Sequence, residues 1–381
     1  MDQARIGLSN IIIGEPLRWD VYDADKKLLL RKGHLIESAH QVTGLIERGL
    51  YVDAHQLDDG ASQRAEKAVE RPSPPSVVRL INLASKRLER LLYNLHAESE
   101  VQGKFLDVVQ VLSHAVTQNR DIALGCILLN QAGVNYAVRH CVDTATVAML
   151  VMRTMHKTPA ETALVMAAAL TMNLGMLRYQ DELENRQEPL TEKEIDLIRK
   201  HPEESADLLR QAGLDNADWI AYVLQHHENE DGSGYPLGTR VQGLSQNAKI
   251  LALADRYCAC ITSRRYRKTL LPVVALRDVC MAGGKAGDPM LAAYFIKELG
   301  MHPPGVFVRL QNGEVGVVTG KGLNPNTPVV HALIGPRGAP LSFPIKRDTA
   351  KPLHAIRETV ADDHTLLRFS LQQLWGNEAS L

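Results

Sequence analysis

Aromatic side chains are scarce in this 381-residue chain, at 5% of residues, and no charge of either sign dominates it. Lysine and arginine number 43 against 44 acidic residues, for a formal net charge of −1. That balance gives no electrostatic footprint of a nucleic-acid binder. Long hydrophobic runs are missing as well. No stretch approaches the roughly 20 uninterrupted apolar residues that span a bilayer, and Met1-Asp2-Gln3-Ala4-Arg5 opens no signal peptide. The expected setting is the cytoplasm, with no membrane span. Cysteines are few and odd in number: Cys126, Cys141, Cys258, Cys260 and Cys280 lie inside apolar helical segments and read as reduced core thiols. Cys258 and Cys260 make a C-x-C, but no second pair lies at zinc-finger spacing, which leaves a metal site there short of ligands.

What is present is the composition of a soluble globular chain, 45% hydrophobic and 23% charged. The length suits one large domain with one or two small ones. Residues 1–52 read as a small α+β module. In it Leu17 to Tyr22 and Lys27 to Leu30 flank Asp23-Ala24-Asp25 as a β-hairpin, and Ser38 with Gln41 caps a short helix that stops at Gly49. Residues 53–76, with Asp58-Asp59-Gly60 and Pro72-Ser73-Pro74-Pro75, bury too little to order themselves and read as a flexible linker. From Val77 the period is helical, with Leu80, Ala84, Leu88, Leu91 and Leu95 on one face, a stripe that suits either a core-facing helix or a dimerisation helix.

Helical periodicity continues over 106–116, 122–129, 144–155, 160–177, 194–209, 219–227, 248–263 and 291–299, so 77–302 is expected to be an all-α domain. Beyond it, two alternating segments bracket Asn312-Gly313, a strong hairpin signal, and 303–381 reads as a small β-rich module whose closing helix spans Thr365 to Trp375. The fold class is mainly α, a helical bundle with small modules at both ends.

The helical body holds His140, His201, His226, His227, Asp231 and Asp255 near helix ends or on apolar helices, a donor set suited to iron, manganese or zinc. A single histidine such as His140 equally suits a hydrogen-bonded core. Adjacent His226-His227 is less ordinary, since neighbouring helical side chains diverge by about 100° and both are buried only if groups or ions lie on either side. Asp255 follows Ile250 to Ala254 and needs a cation or donors: a metal, Arg256 or Arg264, or a helix N-terminus. His201-Pro202 places proline in the first turn of a helix with the histidine at its cap. Gly232-Ser233-Gly234-Tyr235-Pro236 is a turn, and Arg264-Arg265-Tyr266-Arg267-Lys268 sets cations around a ring, as a phosphate grip or a solvated helix end.

Taken in order, His140 with Val147-Ala148, His201-Pro202, His226-His227-Glu228, Asp231 to Pro236, Ala254-Asp255 and Arg264 to Arg267 resemble the HD-GYP family over about residues 100–300. That family comprises bacterial metal-dependent phosphodiesterases that open cyclic di-GMP. The resemblance implies an HD-type helical bundle, metal ligands at His140, His201, His226, His227 and Asp255, and nucleotide contacts from Tyr235, Arg264 and Arg267. It also implies a partner loop, Asp231, Gly232, Gly234, Tyr235 and Pro236, of the kind that contacts diguanylate cyclases or other signalling proteins.

One motif departs from the family. Where family members place a His-Asp pair and, four residues after the histidine, a lysine, this chain has Met172, Asn173 and Met176. Asparagine lacks the charge that bridges two ions, a thioether is a poor ligand for hard iron or manganese, and the second methionine removes a phosphate-neutralising cation. The expectation is therefore a catalytically impaired domain in cyclic di-GMP signalling that acts by binding nucleotide or a protein partner, with one iron or manganese ion rather than two, or none. A phosphodiesterase giving pGpG or GMP from a reduced metal site, and a purely structural interaction module, a homodimer included, are the alternatives.

Overall fold

The computed structural model describes residues 3–5, 17, 19–34, 51–53, 76–130, 133–184, 188, 190–238, 244–262, 269–280, 288–322, 324, 326–360 and 369–381. The chain divides into two compact units, Met1–Pro74 and Pro75–Leu381. The expected helix at 38–49, most of the linker and the Arg264–Arg267 cluster lie outside the described residues.

The first unit carries a four-stranded sheet of β1 (Gln3–Arg5), β2 (Val21–Tyr22), β3 (Leu28–Leu30) and β4 (Tyr51–Asp53) in the order β1-β4-β2-β3. The anticipated hairpin is there: Val21 pairs with Leu30, and Asp23 Oδ1 accepts from the amides of Asp25 at 3.0 Å and Lys27 at 2.9 Å, closing the turn. Val21 and Val52 form its buried side.

The second unit is mostly helical. Its helices are α1 (Val77–Tyr93), α2 (Val101–Gln118), α3 (Arg120–Leu129), α4 (Tyr136–Thr154), α5 (Pro159–Thr171), α6 (Leu177–Glu184), α7 (Glu192–Gln211), α8 (Ala217–Gln225), α9 (Gln246–Ile261), α10 (Pro272–Cys280) and α11 (Pro289–Leu299), with a short α12 (Leu371–Trp375) near the end. Starts are set by side-chain caps. Asn135, Asn216 and Ser245 each accept an amide of the first turn, while Thr158 with Glu161 and Thr191 with Glu194 form reciprocal capping boxes. The α1 stripe lies in the core, where Ala84, Leu88 and Leu91 are buried against the bundle.

Helix α4 is buried along nearly its whole length and packs against α1, α2, α3, α5, α6, α9 and α11. The helical run Pro159–Gln180 is long and apolar enough to cross a membrane by composition, yet 67% of its most apolar window is buried inside the domain, as suits a core helix. All five cysteines are free thiols, with Cys126, Cys141 and Cys258 buried.

Two helical expectations need correction. The segment expected as one helix over 160–177 breaks after Thr171. Ser205 Oγ donates to the Met172 carbonyl at 2.8 Å and accepts from the Gly175 amide at 2.9 Å, which draws the chain out of the helix into a tight turn against α7. Pro202, expected in a first turn, sits in the interior of α7. Helix α10, opening on Pro272, was not anticipated.

The C-terminal strands β5 (Phe307–Leu310), β6 (Val315–Gly320), β7 (Val329–Ile334), β8 (Pro340–Asp348) and β9 (Ile356–Thr359) form one antiparallel sheet in the order β8-β7-β6-β5-β9. The turn at Asn312-Gly313 is closed by Leu310 N to Glu314 O at 2.8 Å, and Gly313 takes φ 88° as the sequence required. The sheet is fastened to the helices. Val306, Val308 and Val318 pack on Leu128, Trp375 Nε1 donates to the Thr319 carbonyl at 2.7 Å, and the Lys321 amide, just past β6, donates to Asp121 Oδ2 at 3.3 Å. The described part of the closing helix is confined to α12.

Candidate metal and nucleotide site

The feature that opens the site is a proline. Residue 202 has no amide hydrogen, so the carbonyl of Ile198, four residues earlier in α7, has no helical donor. His201 Nδ1 fills that position at 2.5 Å. The bond fixes the tautomer, with the proton on Nδ1, and turns the Nε2 lone pair inward. A second helix produces the same arrangement differently. Helix α8 ends at Gln225, leaving its last carbonyls without donors, and His226 Nδ1 donates to Val223 O at 2.6 Å. The two Nε2 atoms then face each other at 3.1 Å inside the bundle.

His227 completes the group. Its ring centroid lies 4.1 Å from His226 and 5.1 Å from His201, and all three residues offer ligand nitrogens within 4.8 Å of one another. The expected divergence of the adjacent pair does not occur, because the helix has already ended at Gln225 and residue 227 leaves helical geometry. Burial, and then the neighbouring His226, push His201 down to about 3; burial likewise lowers His226, and holds His227 well below its ordinary value with His226 adding to it. All three are therefore neutral imidazoles near neutral pH, the form that ligates cations. Two lone pairs at 3.1 Å repel unless a cation stands between them. With metal–nitrogen bonds of about 2.0–2.1 Å, two ligands of one tetrahedral ion lie about 3.3 Å apart, so this donor set fits one ion.

The second pair of candidate ligands is engaged with itself. His140, stacked on Tyr136 at 5.6 Å, puts Nε2 2.7 Å from Asp255 Oδ1. Burial pushes the Asp255 carboxyl up, but the His140 hydrogen bond and the surrounding imidazoles outweigh it and hold the group below the ordinary carboxylate range. Arg256, weighed from sequence as a partner of Asp255, forms no ion pair with it among the described residues. Asp255 Oδ2 reaches His227 Nδ1 only at 4.0 Å.

At Met172-Asn173 the departure from the motif leaves a physical mark. Met172 is fully buried and Asn173 is 2% exposed, yet neither Oδ1 nor Nδ2 of Asn173 has a hydrogen-bond partner. An amide desolvated in this way costs about 1–3 kcal/mol. Gly175 permits the turn: a Cβ there would lie 2.6 Å from Glu204 Cβ and 2.8 Å from the His201 carbonyl. The turn thus rests directly on the histidine-bearing segment of α7. Met176 is at its end.

The Gly232–Pro236 loop closes over the histidines. Tyr235 stacks on His227 at 4.6 Å and 27°, and its amide donates to the His227 carbonyl at 3.2 Å. Gly234 is compelled by proximity, since a Cβ would stand 2.4 Å from that same carbonyl. Glu228 braces the loop through the Leu237 amide at 2.6 Å. Asp231, considered from sequence among the ligand types, is exposed and holds the turn through the amide and hydroxyl of Ser233. It is not among the converging donors. The structure thus brings His201, His226, His227 and Tyr235 together with His140 and Asp255 beside them. Sequence reasoning missed Ser205, Tyr136 and the brace of Glu228. Of these only Glu228 carried a signal, by following His227 in the motif.

Comparison with known proteins bears on the domain that holds these residues. A family model described as an HD domain matches residues 115–289. The cyclic di-GMP phosphodiesterase PA4108 of Pseudomonas aeruginosa is 28% identical over 310 residues, covering 76% of this chain and 74% of that protein. The cyclic di-GMP phosphodiesterase PdeB of Borreliella burgdorferi is 26% identical, over 52% of this chain and 53% of its own length. Among solved structures, Bd1817 of Bdellovibrio bacteriovorus, an HDG"Y"P protein, superposes with a TM-score of 0.50 at 17% identity, covering 78% of this chain and 99% of that one, a likeness of fold. With the motifs in order and the histidines converging under the Gly-Tyr-Pro loop, residues 115–289 carry an HD domain whose likeness to these cyclic di-GMP phosphodiesterases supports a place in the HD-GYP family.

Proposed function

We propose that this chain is a cyclic di-GMP-signalling protein whose hydrolytic capacity is impaired, and that it works by binding the nucleotide and presenting its Gly-Tyr-Pro loop to a protein partner. The dinucleotide comes from the relatives, which are named cyclic di-GMP phosphodiesterases. Two observations carry the impairment: the buried, partnerless Asn173 amide in the place of a bridging carboxylate, and a His140–Asp255 pair closed on itself.

His201, His226 and His227 would hold one ion. A bound divalent cation supplies Lewis-acid polarisation of a phosphoryl oxygen, and a paired site supplies a second such effect, each worth several kcal/mol and hence orders of magnitude in rate. Asn173 cannot offset the repulsion of two cations, and Met176 brings no charge to the phosphate. The chain's own residues then position a ligand: the histidines hold the ion, and Tyr235, stacked on His227, lies over them.

The test is incubation of anaerobically purified protein with cyclic di-GMP and iron or manganese, followed by chromatography. Retained, unhydrolysed nucleotide supports the proposal. Steady production of pGpG or GMP at roughly 1 per second or faster, an ordinary enzyme rate, refutes it and establishes the second reading, one-ion hydrolysis, which the three-histidine cluster favours.

A further inference from the structure

The three histidines are not held alike. His201 and His226 are pinned to their own backbone, Nδ1 donating to the Ile198 and Val223 carbonyls at 2.5 and 2.6 Å. The His227 ring makes no hydrogen bond among the described residues, and its approach to Asp255 Oδ2, at 4.0 Å, is too long for one. What touches it is other rings. Their centroids lie at 4.1 Å for His226, 5.1 Å for His201 and, in a stacked arrangement, 4.6 Å for Tyr235.

Tyr235 is locked to the same residue a second time. Its amide donates to the His227 carbonyl at 3.2 Å, and Gly234 packs so closely that a Cβ would stand 2.4 Å from that carbonyl and 2.5 Å from Glu228 Cα. At the far end of the loop the Leu237 amide is held by Glu228 Oε1 at 2.6 Å, and on its way Glu230 pairs with Lys249 of α9. The base of the loop therefore has no slack, and a displacement of His227 is passed on to it rather than absorbed. Its outer side is open, with Asp231 and Ser233 exposed and the apolar Leu237 exposed by 53%.

The geometry points to Tyr235 as the residue that orients His227 for the ion, and through that stack to a loop whose exposed face is set by whether the three-histidine site is occupied. The inference rests on the one-ion reading above. His201 and His226 present their lone pairs in place, so His227 is the ligand that adjusts, and the loop follows it. Such a coupling is reciprocal: whatever the ion adds to the order of the loop, the loop adds to the affinity for the ion. A protein partner seated on Asp231, Ser233 and Leu237 thereby distinguishes the loaded from the empty chain.

The experiment is hydrogen exchange by mass spectrometry on the full chain, stripped with chelator or loaded with manganese or zinc alone, for the wild type, Y235A and Y235F. Chelator competition gives the metal affinity, and melting temperature is the control on folding. In the wild type the metal is expected to slow exchange over residues 229–238 roughly 10-fold more than over α1, since local opening of the loop is what the ion opposes. Y235A is expected to weaken metal binding roughly 10- to 100-fold, as loss of a group that orients a ligand does, and to abolish the slowing. Y235F keeps the ring and is expected to keep both. A merely structural role would lower the melting temperature without changing the difference between loaded and empty protein. Metal bound by the wild type with no slowing in the loop, an unchanged affinity in Y235A, or a Y235F that behaves as Y235A overturns the coupling alone. A wild type that binds neither metal overturns the one-ion reading and the coupling with it.

Discussion

Replacing Pro202 by alanine should make the protein more stable and its metal site worse. Proline inside a helix is about 3 kcal/mol less favourable than alanine. In α7 part of that deficit is recovered by the bond from His201 Nδ1 to the Ile198 carbonyl, 2.5 Å long and worth about 1 kcal/mol net. P202A restores an amide donor to that carbonyl and is expected to gain about 1–2 kcal/mol, read as a higher urea midpoint at unchanged slope. The same new donor competes with His201, whose ring is then free to rotate and to move its Nε2 from its place 3.1 Å from that of His226. Losing such an orienting bond typically costs 10- to 100-fold in metal affinity. A chelator-competition titration measures it. Unchanged or tighter binding in a stabilised P202A would refute the claim that the proline positions the ligand.

Further expectations come from the same geometry. Gly234→Ala forces a methyl to within 2.4 Å of the His227 carbonyl, so the loop must move; a loss of about 1–3 kcal/mol is expected from denaturation, and ordinary stability would mean the loop does not pack as described. His140→Ala leaves the Asp255 carboxylate buried without its partner and should cost about 3–5 kcal/mol, whereas the double variant H140A/D255A should recover part of it; no recovery in the double variant would show the pair is not coupled. Glu161 caps α5, and its hydrogen bonds to the Thr158 amide and hydroxyl lower its carboxyl from 4.5 to about 2. A lowered folded value means stabilisation that is present above the unfolded value and lost as pH falls through the folded one. The stability difference between wild type and E161Q should therefore hold at pH 6 and fade between about 4.5 and 2; a difference independent of pH would refute the role of the charge.

The family resemblance implied one site for His201, His226, His227 and Tyr235; the sequence by itself displays only the local features they sit on, helix ends and a glycine turn. What stayed hidden depends on contacts between distant segments. Pro202 looked like a first-turn residue because a proline inside a helix needs a compensating donor, and that donor was the next-door side chain rather than any pattern in the run. The break after Thr171 was invisible because Ser205, 33 residues away from Met172, takes its carbonyl. Asp255 was rightly expected to need a partner, but whether His140 or Arg256 supplies it is a matter of packing between α4 and α9. The hairpins at Asp23 and Asn312-Gly313 were legible because turn chemistry is local.

The central claim is that the departure at Met172-Asn173 leaves this site room for a single ion. The direct measurement is metal content by mass spectrometry of protein saturated with manganese, iron or zinc and then desalted, for the wild type, H226A and M172H/N173D. No more than one ion per wild-type chain is expected, none in H226A, and a second ion on restoring the His-Asp pair. Two ions per wild-type chain would contradict it.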